Sequence, residues 1–324
     1  MPEADAIQAP AAAVRGAMRW RRLGLVWNAH RRAPWATSHA MGPTPIVLRD
    51  GEIRVYLTCL DAQGRGRPAW VDVDARDPTR VLRECAAPVL EIGEPGSFDD
   101  NGVMVTCMVA AEPGRLFMYY AGFELCTQVR YRVFSGLALS DDGGASFRRA
   151  SRAPVLDRGD DELLFRGGPF VRRVGPGYRM WYVGGSAWTD VAGKTLPVYD
   201  LRVADSADGI RWPTQGAVCL PLQHADEHGF GRPWVLPTAD GGFELFYSIR
   251  RRSAAAYRLG HARSRDGLHW TRDDAAMQLP VSAHGFDSRA IMYSAVIDVA
   301  GRRFCFYNGN DFGIDGFAVA ELER

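Results

Sequence analysis

Apolar and aromatic residues recur along the chain in short runs bounded by Gly, Pro, Asp and Asn, and stretches with helical periodicity are scarce. That pattern predicts an all-β protein. One run returns five times and ends in tyrosine each time: IRVY at Tyr56, FMYY at Tyr120, RMWY at Tyr182, ELFY at Tyr247 and FCFY at Tyr307, in steps of 64, 62, 65 and 60 residues. Upstream of each tyrosine lies a second apolar run, separated from it by a turn, as in PTPIVLRDGE and PFVRRVGPG. A β-hairpin therefore opens every unit.

A second motif falls later in three units: SDDGGASF at Ser140 to Phe147, SADGIRW at Ser206 to Trp212 and SRDGLHW at Ser264 to Trp270. It resembles the Asp-box turn of sialidase-like propellers, in which Asp and Gly build a tight turn and the aromatic caps the blade. Five units, each long enough for four strands, predict a five-bladed β-propeller, with blades beginning near residues 37, 97, 164, 229 and 285. The alternating stretch Met18 to Trp27 is suited to add an outer strand to the last blade and close the ring. The expected organisation is a disordered tail at 1–17 and one propeller domain over 18–324.

The composition agrees with a soluble globular protein: 47% hydrophobic and 24% charged residues in 324. Because 39 basic residues meet 38 acidic ones, no net field draws the chain to nucleic acid or to an anionic membrane, and neither is expected as a partner. Lys194 is the sole lysine, so the basic chemistry belongs to arginine. Six cysteines lie scattered without a CxxC pair, there is no secretory h-region and no run of 18 apolar residues, which together suggest reduced thiols and a cytoplasmic protein.

In a propeller the innermost strands converge on one axial mouth, so the residues where those strands begin are the place to look for chemistry. Aligned on a phenylalanine, they read Phe98-Asp99-Asp100-Asn101, Phe165-Arg166-Gly167-Gly168, Phe230-Gly231-Arg232-Pro233 and Phe286-Asp287-Ser288-Arg289, with His39 in the first blade. A second ring comes from the residues after the repeated tyrosines: Glu124, Trp188, Arg250 and Asn308. Repeated acids and arginines at one level suit a polar, anionic ligand. Asp99, Asp100, Glu124 and His39 are the candidates for proton transfer or charge stabilisation. Arg166, Arg232, Arg250, Arg289, Asp287, Asn308 and Trp188 are the candidates for binding, with Arg166, Arg232 and Arg289 expected to gather on one side of the mouth.

These motifs, with MGPTPIVLRDG at Met41 to Gly51, GSFDDNGV at Gly96 to Val103 and the MWY and FYNGN strands, make the chain similar to the five-bladed glycoside-hydrolase superfamily of arabinanases, xylosidases, invertases and mannoside phosphorylases. It is more similar still to bacterial glycosidase-like proteins encoded near polysaccharide and secondary-metabolite genes. The resemblance implies carboxylates from three successive blades. The second falls on Asp99 or Asp100, whereas His39 stands at the first and Gly167-Gly168-Pro169 at the third. Mannoside phosphorylases use a single Asp acid with a cationic cluster that binds phosphate, and the arginines here resemble that arrangement. The expected activity is chemistry at the anomeric centre of an anionic sugar or sugar phosphate. The alternatives are a biosynthetic enzyme of other, metal-assisted chemistry on a small polar metabolite, and an inactive glycan-binding propeller. No cofactor is required; His39, Asp99, Asp100 and Asp287, with His284 or His228, could hold a divalent metal at the axis, although no HxH or HExxH spacing supports it.

Overall fold

The computed structural model describes residues 16–323 except Asp50, Pro113 and Ala255. The tail expected at 1–17 lies outside them but for its last two residues. Strand accounts for 59% and helix for 2%, so the chain is all-β. Among the described residues no helix is long and apolar enough to cross a membrane.

Strand β1 (Met18–Trp27) is followed by antiparallel meanders. The first holds β2 (Ser38–Arg49), β3 (Glu52–Leu60), β4 (Gly66–Asp74) and β5 (Val81–Glu84), and the second holds β6 (Val103–Glu112), β7 (Arg115–Leu125), β8 (Tyr131–Ser140) and β9 (Arg148–Arg149). Then come β10 (Phe165–Val174), β11 (Gly177–Val191), β12 (Lys194–Ser206) and β13 (Ala217–Leu220), and after them β14 (Glu227–Pro237), β15 (Phe243–Arg251), β16 (Ala256–Ser264) and β17 (Thr271–Arg272). The chain ends in β18 (Met277–Gln278), β19 (Met292–Val299), β20 (Arg302–Asn308) and β21 (Phe317–Leu322). Here β1 pairs antiparallel with β21 and parallel with β18, so the N-terminal strand completes the C-terminal sheet.

The first strands of the meanders lie side by side in cyclic order: β2 against β6, β6 against β10, β10 against β14, β14 against β19, and β19 against β2. The sheets are thus curled into a propeller-like arrangement. Each of these strands carries a bulge at the same level, at Gly42-Pro43, Thr106, Gly168-Pro169, Arg232-Pro233 and Tyr293-Ser294. A bulge bends its strand and re-aims one side chain, which turns five strands inward without breaking their pairing.

The repeated tyrosines are fully buried, and four of them are held by a carboxylate paired with arginine. Tyr120 donates to Asp99, which also takes Arg149; Tyr247 donates to Asp274, which takes Arg272; Tyr307 donates to Asp287, which takes Arg22. Tyr182 sits with Arg166 beside Glu162. A buried phenol costs free energy unless its O–H finds an acceptor, and a buried carboxylate unless a cation meets it. One clip meets both needs.

Tyr56 departs from this scheme. It donates to the Gly144 carbonyl in the turn SDDGGASF, just as Tyr119 donates to Gly209 and the Trp181 indole to Gly267 in the other two turns. The closing aromatics pack on the same residues: Phe147 on Tyr56, Trp212 on Tyr119 and Trp270 on Trp181. Within each turn Ser140, Ser206 and Ser264 bond Asp142, Asp208 and Asp266, whose carboxylates accept backbone N–H groups. These turns therefore latch the second, third and fourth meanders each to the one before it.

Gly136 lies opposite Tyr120, and a Cβ there would fall among the atoms of the tyrosine ring. Because Tyr120 is pinned by Asp99 it cannot yield. Gly136→Ala should lower stability by about 2–3 kcal/mol through overpacking, measured as a shift in denaturant midpoint; a loss below 0.5 kcal/mol would show that the ring is free to move.

Candidate functional site

Antiparallel pairing brings the N-terminal ends of the first and third strands of each meander, and the C-terminal end of the second, to the same face. On that face lies Arg250, near the end of β15, ringed by tyrosines. Its Nε donates to the Tyr257 hydroxyl at 2.6 Å, and its guanidinium carbon lies 4.7 Å from the Tyr257 ring centroid and 5.8 Å from that of Tyr199. The Tyr199 and Tyr257 hydroxyls are 2.8 Å apart. The aromatic wall continues on both sides, through Tyr293 and Phe312 toward the last meander and through Phe165, Trp188 and Tyr131 toward the second.

Burial opposes the Arg250 charge, but the oxygens of Tyr199, Tyr257, Tyr131 and Tyr293 outweigh it and hold its pKa well above the ordinary value. Burial likewise pushes the Tyr131, Tyr199 and Tyr293 phenols up, so they stay protonated at neutral pH and can donate hydrogen bonds. Among the described residues no carboxylate pairs with Arg250. It is a half-buried cation with a planar donor fork and aromatic walls, an arrangement suited to a ligand carboxylate or phosphate. His228 stands below it at the start of β14, its Nδ1 3.0 Å from the Pro197 carbonyl, and burial lowers its pKa.

Toward the last meander, His39 faces Asp311. Burial lowers its pKa and Asp311 only partly offsets that, leaving a neutral imidazole at pH 7. Asp311 is also paired with Arg289. His39, Arg232 and Tyr293 take positive φ at 62°, 39° and 58°. Non-glycine residues in that region are strained, and such residues concentrate at ligand sites. Toward the second meander, Glu124 lies 3.7 Å from Arg132, both side chains about a third exposed.

The remaining candidates lie elsewhere. Asp99 and Asp287 have no exposed carboxylate to offer, being held in the tyrosine clips. Asp100 accepts the Gly96 N–H in the turn before β6. Arg166 is buried with Glu162, Tyr182 and the Asp157 carbonyl. Arg232 turns into the centre, where it donates to the carbonyls of Pro43, Tyr293 and Thr106 and to the Thr44 hydroxyl. With Arg289 at the rim, the three arginines expected together share no partner among the described residues. The bulges explain the difference: Arg232 sits on one, equivalent to Gly168, whereas Arg166 precedes its own by two positions and points sideways. Asn308 is buried, donating to Ala40 and Gly316 and accepting from the Gly42 N–H, so it ties β20 to β2. Trp188 is half-buried against Tyr131 and Phe165, each ring 5.2 Å away. Among the described residues no group of three His, Cys, Asp or Glu side chains is placed to hold a metal.

Sequence reasoning reaches Arg250, Trp188, Glu124 and His39 but misses the tyrosines. Their signal is present: Tyr131 and Tyr257 stand at the start of third strands and Tyr199 in the first half of the longer β12, a second tyrosine register beside the first.

No family model matches the chain. Two curated proteins of Mycobacterium tuberculosis, named "Uncharacterized protein Rv1502" and "Uncharacterized protein MT1551", are each 33% identical over 307 residues, spanning 95% of this chain and 100% of their own. The chain belongs to their family. The chain is also similar to solved structures, and these likenesses concern the fold. A glycosyl hydrolase from Bacteroides ovatus superposes with a TM-score of 0.71 at 14% identity, covering 97% of this chain and 96% of its own. A structure reported for mannoside phosphorylases of the GH130 family gives 0.66 at 14%, covering 98% and 99%. The family member described here thus has the propeller-like fold of glycoside hydrolases and phosphorylases.

Proposed function

We propose that the five meanders form a closed five-bladed propeller and that its Arg250 face binds an anionic sugar, on which the protein acts as a glycosidase- or phosphorylase-like enzyme. The observation that carries this reading is Arg250 itself, a guanidinium walled by Tyr199 and Tyr257 and without a carboxylate partner among the described residues. An acidic group on the sugar supplies the missing counter-charge, and the aromatic wall covers the sugar's apolar face. The resemblance to glycoside hydrolases and phosphorylases supports the reaction class. Glu124, whose only carboxylate contact among the described residues is a long pair with Arg132, and His39, neutral beside Asp311, are the groups left to move a proton. Asp99 is assigned to holding Tyr120 rather than to chemistry, and Asp100 to its turn. A cytoplasmic setting is part of the same proposal, and the six free cysteines agree with it.

The test is calorimetric titration with glucuronate, glucose 1-phosphate and glucose, alongside Arg250→Gln. Loss of a charge-assisted pair is expected to weaken the anionic ligands by about 10–100-fold, from about 1.5–3 kcal/mol, and to leave glucose unchanged. Equal affinity for charged and neutral sugars, or an unaltered variant, would refute the anion site. A second reading, a glycan-binding propeller without turnover, is favoured by the full engagement of Asp99. Product analysis of the bound anionic ligand separates the two, since binding with no product on any of them favours the module.

A further inference from the structure

The two longest strands, β11 and β12, have 15 and 13 residues, and their hairpin runs on past the Arg250 face through Trp188, Thr189 and Lys194. Arg252 braces it, donating to the Thr189 hydroxyl at 3.0 Å. Between this hairpin and the connection from β7 to β8 lies a cleft of about 520 Å³, with Thr127, Gln128 and Arg130 on one side and Trp188, Lys194 and Thr195 on the other. Its volume is in the range of small-ligand sites.

The lining has a consistent chemistry. It includes two cations, Arg130 and Lys194, and no Asp or Glu. Lys194 is the chain's only lysine. Thr127 and Gln128 add hydrogen-bonding groups, the Thr195 hydroxyl donates to the Asp190 carboxylate, and among the described residues the buried Trp188 indole N–H has no partner. The cleft also adjoins the first site, because Trp188 packs 5.2 Å from Tyr131, one of the tyrosines around Arg250. The cleft and the Arg250 face thus share one aromatic partition.

We propose that this cleft is a second subsite, which takes a further anionic unit, a uronate or a phosphoryl-bearing group, joined covalently to the sugar held at Arg250. The inference rests on the Arg250 reading for its first half only. Arg130 and Lys194 neutralise the second charge, the hydroxyl and amide groups bond the unit's oxygens, and Trp188 separates the two units.

Calorimetric titration with one-unit and two-unit probes tests it: galacturonate against digalacturonate, and glucose 1-phosphate against UDP-glucose. In at least one pair the longer probe should bind tenfold or more tighter. Both cationic side chains are exposed, so the Arg130→Ala, Lys194→Ala double variant should fold. It should abolish that gain while one-unit affinity stays as in wild type, whereas Arg250→Gln should weaken both probes. Equal affinity for short and long probes, or a gain that survives in the double variant, overturns the second subsite and leaves Arg250-dependent binding standing. Failure of every probe to bind overturns both readings.

Discussion

Arg232→Met is expected to lower stability by about 3–4 kcal/mol, although methionine fits the space and removes a buried charge. Arg232 has no carboxylate partner among the described residues, and burial lowers its pKa to about 9. Its donors instead meet Pro43 and Thr44 on β2, Thr106 on β6 and Tyr293 on β19, so one side chain joins three meanders to its own. Methionine would leave four buried acceptors without donors, at about 1–3 kcal/mol each, against which the relief of a desolvated cation must be set. The net value follows because the acceptors are too central to turn toward water. For a domain of this size it corresponds to a fall in Tm of about 4–6 °C, read by calorimetry. A loss below 1 kcal/mol would mean that the centre admits solvent to replace the guanidinium.

Asp99→Ala should cost a similar amount, about 3–4 kcal/mol, and for a related reason. Its carboxylate accepts from Tyr120, Ser97 and Arg149, and the residue has no solvent exposure. Alanine leaves the Tyr120 O–H buried without an acceptor and Arg149 without its charge partner. Asp287→Ala should match it, since Asp287 receives Tyr307 and Arg22 in the same geometry. Chemical denaturation of the two variants checks the claim. If Asp99→Ala instead keeps wild-type stability while losing turnover, the residue is catalytic and the clip is incidental.

The all-β fold was legible because the tyrosines recur where the chain returns to the same place, and because alternation at Met18–Trp27 matches a strand with one covered face. The Ser-Asp-Gly turns were legible for the same reason: their chemistry is local, a serine and an aspartate satisfying nearby backbone groups. The site was only partly legible. Asp99, Asp287 and Arg166 look reactive in sequence because acids and bases at strand ends are expensive to bury. Their partners, Tyr120, Tyr307 and Glu162, come from other strands or turns, and only the fold shows that the cost is already met. Arg166 and Arg232 stand one and two residues after their aligning phenylalanines, yet Arg232 lies on its strand's bulge and Arg166 two positions before its own, a difference that leaves no mark in composition. Arg250 is the converse case. Its place after a repeated tyrosine marks it in the sequence, but three of the tyrosines that distinguish it, Tyr131, Tyr199 and Tyr293, come from other meanders.

The pairing of β1 with β21, from Trp20 opposite Leu322 to Trp27 opposite Phe317, has a consequence for how the protein is made. At about 5–20 residues per second on the ribosome, the stretch Met18–Trp27 waits on the order of 15–60 s for a partner synthesised some 300 positions later. Throughout that interval it is an edge strand with a half-apolar face and unpaired amides, the kind of segment that chaperones bind and that neighbouring nascent chains can capture. The last sheet is therefore the final one to assemble, and protease applied to stalled nascent chains should cut within β1 until β21 has left the exit tunnel.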